Sequence, residues 1–171
     1  MKPLAPDEKT ATVLVYTPNM LVRGDVVVKE SVRVSIWLRT QGVPNFIHLI
    51  KPQVIVFGGT PPKSHAYEEM FVPTDQVIGF HLAPPAADPM DYDPTEGNRT
   101  MQPVHVLVAS FFMKGKMRIS SAADFATSLE VSKVPWVSIY DAEIVNPYLP
   151  QFAMSVPMLL ASPTKVSIGL A

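Results

Sequence analysis

The side chains that could bind a metal ion are few, and their spacing is unfavourable. Four histidines are spread along the chain and cysteine is absent, which excludes thiolate metal sites and cysteine nucleophiles. His65, Glu68 and Glu69 would share one face only in a helix, whereas the residues around them alternate as in a strand. We therefore expect no metal site and no cofactor.

Motifs that mark common catalytic sites are missing. The sequence contains no G-x-S-x-G nucleophile elbow, no phosphate-binding P-loop and no G-x-G-x-x-G dinucleotide motif. Its charged residues are scattered, mostly in turn-like segments, and no paired carboxylates lie in an apolar setting. The expectation is that the protein is not an enzyme.

One group of residues has the chemistry of a nucleic-acid site. Arg23, Arg33 and Arg39 lie close together in the sequence, and Trp37 between them could stack on a base. The net charge of −1 shows no basic excess of the kind that nucleic-acid-binding proteins usually carry. The alternative, which we favour, is that Trp37 packs between the two halves of the chain.

Composition predicts short strands. The 171 residues are 47% hydrophobic and include 18 prolines but only eight glycines. Proline interrupts helices, and the remaining sequence is rich in Val, Ile and Thr, which favour strands. No segment resembles a signal peptide or reaches the roughly 18 apolar residues of a membrane span. Together with the absence of cysteine, this leads us to expect a cytoplasmic protein without membrane contact.

The two halves of the sequence share a repeated pattern of residues. After a tail at residues 1–10, a Pro- and Asp-rich linker at residues 83–103 separates two halves, residues 11–82 and 104–171. Each half opens with Val-Leu-Val and then has a basic residue before Gly24 or Gly115. From each glycine, a valine-proline pair follows 19 positions later. We infer an internal duplication. The aspartates of the linker lack the spacing of a calcium loop and are expected to be solvated.

The shared pattern predicts an all-β protein with a minor helical part, in which each half forms a five-stranded small barrel. The predicted first strands are residues 13–21 and 106–113, and the predicted third strands are residues 46–57 and 136–145. The two glycines begin the second strands, where they could allow a bend. Residues 31–39 and 122–130 fit either a strand or a short helix, and we favour a helical turn that Ser121 could cap in the second half. A closed barrel would remove the exposed edges of such short sheets.

The unit resembles an Sm-like barrel of the Sm/Hfq type, through Val-Leu-Val, the glycine of the bent second strand and the tight turn before the last strand. It also resembles uncharacterised bacterial proteins of unknown function through the stretch Arg33 to Leu38. The resemblance implies a ring of six or seven barrels, so that three duplicated chains could supply six. Sm proteins that bind RNA carry an Arg-Gly pair at the last turn, where this sequence has Pro73-Thr74 and Pro163-Thr164. The RNA site is therefore not implied with the fold.

Three functions follow as hypotheses. The first is a non-enzymatic interaction or scaffold module that associates with itself or with a protein partner. The second is binding of single-stranded RNA through Arg23, Arg33, Trp37 and Arg39. The third is a small-molecule sensor with a pocket between the two halves.

Overall fold

A computed structural model describes residues 4–170, and its eleven strands form one antiparallel sheet. The prediction of an all-β protein with a minor helical part is confirmed. The strand order is β11-β7-β8-β9-β10-β6-β1-β2-β3-β4, with β5 also paired to β3. The sheet therefore runs without a break from the second half of the chain into the first.

The N-terminal unit comprises the elements between Glu8 and Leu82. They are β1 (Glu8–Tyr16), β2 (Met20–Lys29), the 3₁₀ helix η1 (Val34–Arg39), β3 (Phe46–Val56), β4 (Lys63–Ala66), β5 (Glu69–Pro73), a 3₁₀ turn (Thr74–Gln76) and β6 (Gly79–Leu82). Strands β4 and β5 pair with successive parts of β3, so together they occupy the place of one fourth strand. Strand β6 returns to pair with β1.

The C-terminal unit comprises the elements between Arg99 and Leu170. They are β7 (Arg99–Val108), β8 (Phe111–Ser120), α1 (Phe125–Ser132), β9 (Val137–Asn146), β10 (Leu149–Ala161) and β11 (Ser167–Leu170). Strand β11 returns to pair with β7. The predicted tail contains the start of β1, and the predicted linker contains the start of β7.

Tight hairpins join the first two strands of each unit. Thr17 closes the first of them, because its backbone and hydroxyl both bond to Met20, at 3.0 and 3.1 Å. In the second unit β7 ends at Val108 and β8 begins at Phe111. The sequence-based strands 13–21 and 106–113 were wrong here, because each ran through a turn.

Gly24 and Gly115 lie at equivalent bends of the second strands. They pair with Val13 and Val104, and in each case the register with the third strand shifts at the glycine. A Cβ on Gly115 would lie only 2.6 Å from Ile139 Cγ2. Glycine is needed because the third strand crosses too closely for any side chain.

The ambiguous segments are helical, as the favoured reading predicted. η1 buries Val34 and Leu38 beneath the sheet junction, whereas α1 has no fully buried residue. The predicted cap was wrong, since Asp124 rather than Ser121 caps α1 by accepting a 2.7 Å bond from Thr127 N. Aspartate accepts this bond well because the first helical amide groups lack partners within the helix.

Candidate functional site

The segment between the two units, residues 83–98, lies across both of them and is called the strap below. Asp88 Oδ2 accepts a 2.8 Å hydrogen bond from the backbone N of Ser35 in η1. The guanidinium of Arg33 donates to the carbonyl of Pro89. The acidic strap is therefore attached to η1 and to Arg33 just before it, the region that holds three of the four predicted nucleic-acid residues.

Asp91 joins the two units through one carboxylate whose side chain is only 7% exposed. It accepts hydrogen bonds from Tyr140 Oη at 2.7 Å and Ser138 Oγ at 2.9 Å, and it pairs with Arg39 of η1. Arg39 also donates to Ser138 Oγ at 2.7 Å. Burial alone would raise the pKa of Asp91, but these donors outweigh it and hold the pKa below its usual value.

The far end of the strap lies against two arginines of the C-terminal unit. Arg118 lies over the ring of Tyr92, 4.8 Å from its centroid, and pairs with Glu96 at 2.8 Å. Arg99 approaches the same carboxylate at 3.6 Å. Two strap carboxylates, Asp91 and Glu96, thus pair with arginine side chains.

The structure brings together three of the four predicted nucleic-acid residues. Trp37 and Arg39 lie in η1 and Arg33 directly precedes it, whereas Arg23 is exposed on β2. Trp37 packs edge-on against Phe80, with the ring centroids 6.2 Å apart. Trp37 is also partly buried against a cluster that contains Trp136 and Leu160 of the C-terminal unit. Arg33 and Arg39 both bond to the strap.

A groove of about 760 Å³ lies between α1, β8 and the start of β9. Leu129, Met117 and Trp136 supply apolar lining, and Arg39 is the contribution of the N-terminal unit. The sequence had suggested a pocket between the halves, and this groove fits that description only at the edge where Arg39 lies.

Tyr16 and His81 form a buried titratable pair that a substrate could not contact. Tyr16 and His81 are at most 1% exposed, and their side chains share a 2.9 Å hydrogen bond in the middle of the sheet. Burial lowers the pKa of His81 to about 4 and raises that of Tyr16. His81 Nδ1 donates to the carbonyl of Leu82 at 2.7 Å, so both ring nitrogens are in use.

The two ends of the strand order are open. On β3 and β5 of the N-terminal unit, Phe46 and Phe71 are 53% and 57% exposed. The Phe71 ring stacks on His48 at a centroid distance of 4.4 Å, and His48 pairs with Glu69 at 2.9 Å. At the other end β11 pairs only with β7, among the strands of residues 4–170.

Sequence reasoning missed Asp91, Ser138 and Tyr140 as a connected group. Asp91 lies in a segment whose composition is that of a linker, and Ser138 and Tyr140 alternate like any strand residues. No local signal links these three positions, because they meet only after the strap crosses the junction between the units.

Comparison with known proteins found no match: no protein-family profile, no curated protein and no solved structure resembles the chain significantly. Within the described residues, no group of three His, Asp or Glu side chains is placed to hold a metal ion. No helix between residues 4 and 170 is long and apolar enough to cross a membrane.

Proposed function

We propose that the protein is a non-enzymatic scaffold module, built from two duplicated Sm-like units, that associates with itself through its open sheet edges. The observation that carries the proposal is the pairing of β10 with β6, which places Leu160 opposite Phe80 and Ala161 opposite Gly79. One unit thereby extends the sheet of the other. A protein that already joins two such units by strand pairing has the means to add a third.

Duplication is supported by matching strand order. The N-terminal unit reads β6-β1-β2-β3-β4/β5 and the C-terminal unit reads β11-β7-β8-β9-β10, so each places its fifth strand beside its first. Lys51 and Asp141, each in the third strand, have positive φ angles of 47° and 50°. Residues other than glycine rarely adopt this backbone conformation, and its occurrence at the equivalent position of both units supports a common origin.

An enzymatic role has little support in the side chains described above. The Asp91 side chain is only 7% exposed and accepts bonds from three donors, and Tyr16 and His81 are at most 1% exposed. A general acid or base must reach a proton on its substrate. These groups instead join elements of the fold.

Molar mass in solution tests the proposal. We expect light scattering on a sizing column to give a mass of several chains, with a protein-like ratio of absorbance at 260 and 280 nm. Phe71→Lys should reduce that mass, because it places a charge on the open edge. Tyr148→Lys is the matched control, since Tyr148 is 63% exposed but lies in the turn between β9 and β10.

A single-chain mass at all accessible concentrations would refute self-association. A raised signal at 260 nm that nuclease removes would instead favour the RNA hypothesis, in which Arg23, Arg33, Trp37 and Arg39 bind a strand. For that hypothesis Arg33 and Arg39 would have to leave the strap.

One observation favours a second candidate function, small-molecule sensing. The groove beside α1 is large enough for a drug-sized ligand, with apolar lining from Leu129 and Trp136 and a cationic edge at Arg39. A thermal-shift screen should then find ligands whose effect is lost in Leu129→Asp. A screen without any such ligand would count against sensing and leave the scaffold proposal intact.

A further inference from the structure

Five apolar side chains form a buried cluster at the junction between the two units. Val34, Leu38 and Phe80 come from the N-terminal unit, and Trp136 and Leu160 come from the C-terminal unit. None is more than 7% exposed. The C-terminal unit therefore covers the helix and fifth strand of its neighbour with two large side chains.

Strand registers identify the counterparts of Trp136 and Leu160 in the N-terminal unit. Leu160 pairs with Ser138 on β9, two residues after Trp136. Phe71 pairs with His48 on β3, two residues after Phe46. Phe46 and Phe71 thus stand where Trp136 and Leu160 stand. Their exposures, 53% and 57%, contrast with 7% and 0% at the junction.

The same comparison applied to the C-terminal unit identifies an uncovered receiving surface. Phe80 pairs with Val15 on β1, and Ile168 pairs with Val106 on β7, the equivalent strand. Phe125 and Leu129 of α1 stand where Val34 and Leu38 stand in η1. All three counterparts, Phe125, Leu129 and Ile168, are only partly buried.

From this difference we infer, on the basis of the proposed self-association, that the open end of one chain docks on α1 and β11 of a second copy. Phe46 and Phe71 of the first copy pack against Leu129 and Ile168 of the second. In the register of the internal junction, Phe71 pairs with Ile168 and Val72 pairs with Ser167. The cluster around α1 is then complete only when the second copy is present.

The docking is head to tail, because each chain uses two different surfaces: Phe46 and Phe71 at one end, and α1 and β11 at the other. Such an interface leaves one end free after every addition, so assembly continues until a ring closes. A dimer held by one isologous contact cannot satisfy it, whereas a closed ring of two or more chains can. We therefore expect a closed ring, and the ring of three duplicated chains considered from the sequence is one such assembly.

Disulfide trapping tests the register directly, because the natural chain has no cysteine that could compete. Facing residues of antiparallel strands have Cα separations of about 4.5–5.5 Å, within the range that a disulfide spans. We would prepare Phe71→Cys and Ile168→Cys as two proteins that differ in tag size. Mild oxidation of the mixture should give one covalent species that contains one chain of each kind. Each protein alone should give none.

Three outcomes overturn the inference, and they differ from failure of the proposed function. Cross-linking of Phe71→Cys with itself would show symmetric edge pairing, and a mixture that stays unlinked while wild type forms multimers would show another interface. Preferential linking to a protein carrying Leu107→Cys, an exposed residue on β7, would also exclude this register. A wild-type protein that is a single chain refutes self-association itself.

A second measurement does not depend on oxidation. Phe46→Ser should weaken the association at least tenfold, measured from the concentration dependence of the molar mass. Val145→Ser is the control, because Val145 is 44% exposed on the C-terminal unit and has no place in the cluster. Equal masses for wild type and Phe46→Ser across the same concentrations would contradict the inferred contact.

Discussion

The imidazole of His81 is 1% exposed in the middle of the sheet, and mild acid should therefore destabilise the fold. Burial lowers the pKa of His81 from its ordinary 6.5 to about 4, although the Leu82 carbonyl acts in the opposite direction. The unfolded chain consequently takes up the proton before the folded chain does. Stability from this group is complete above pH 6.5 and is lost as the pH falls from 6.5 towards 4.

The two pKa values of His81 set the size of the effect. At pH 5 the unfolded imidazole is almost fully charged, while about a tenth of the folded molecules carry the proton, which costs about 2 kcal/mol. The loss reaches about 3 kcal/mol at pH 4 and below, since each pH unit corresponds to about 1.4 kcal/mol. Urea unfolding at pH 7.5 and pH 5.0, followed by the fluorescence of the two tryptophans, measures the difference.

The control for this prediction removes the buried pair without leaving an unpaired hydroxyl. In the double variant Tyr16→Phe/His81→Phe, the acid-induced loss should be about 2 kcal/mol smaller than in wild type, because all other titrating groups are shared. In an NMR titration of wild type, the His81 signal should stay at its neutral position between pH 7.5 and pH 5. Equal acid-induced losses in both proteins, or a His81 signal that moves with an ordinary pKa, would refute the reasoning.

Three further substitutions test packing and the strap. Gly115→Ala should lower the free energy of unfolding by about 2 kcal/mol, more than Gly24→Ala, because the nearest atom to the added Cβ lies at 2.6 Å instead of 3.2 Å; urea titrations that reverse this order would contradict it. Asp91→Ala should cost about 2 kcal/mol, since a carboxylate that accepts three donors is lost, and Asp93→Asn serves as its exposed control in the same titration. Trp37→Ala should cost about 2 kcal/mol through lost packing, and unchanged urea stability would show that the tryptophan is free for a ligand.

Hydrophobic patterning predicted which segments form strands but not where each strand ends. β3 begins at Phe46 as predicted, and β9 begins at Val137, one residue after the predicted start at Trp136, because the apolar residues of each strand face a buried cluster. The hairpin at Thr17 was missed because apolar residues on both sides of it suggest one continuous strand. Pro18 and Asn19 are common turn residues and do mark the turn in the sequence.

The sequence alignment of the two halves also drifted in the last strand. An alignment on the Pro-Thr turns makes Gly79 equivalent to Gly169. The strand registers instead make Gly79 equivalent to Ser167, because Gly79 pairs with Tyr16 and Ser167 pairs with Leu107. The turn before β6 is two residues longer than the turn before β11. Loop lengths vary freely on a surface, so a motif in a loop is a poor guide to register.

The strap shows why the role of Arg33 and Arg39 could not be assigned from the sequence. Arg33 and Arg39 look available for an anion, yet the strap supplies Pro89 O and the Asp91 carboxylate to them. An arginine and an aspartate more than 50 positions apart meet only through the fold, and composition gives the strap the character of a solvated linker. Net charge close to zero was the single global hint that the basic residues have acidic partners within the chain.

Phe46 and Trp136 show what local pattern can and cannot decide. Phe46 is the first residue of β3 and Trp136 directly precedes β9. Both are large and aromatic, and the same alternation predicts the same environment for each. Trp136 is nevertheless 7% exposed and Phe46 is 53% exposed. The cause lies outside the strand, because Trp136 has η1 of the other unit beside it and Phe46 has no equivalent neighbour among residues 4–170. A second copy that supplies α1 to Phe46 would make the two positions alike. The burial of Phe46 in the assembled protein would therefore support duplication, self-association and the docking register together.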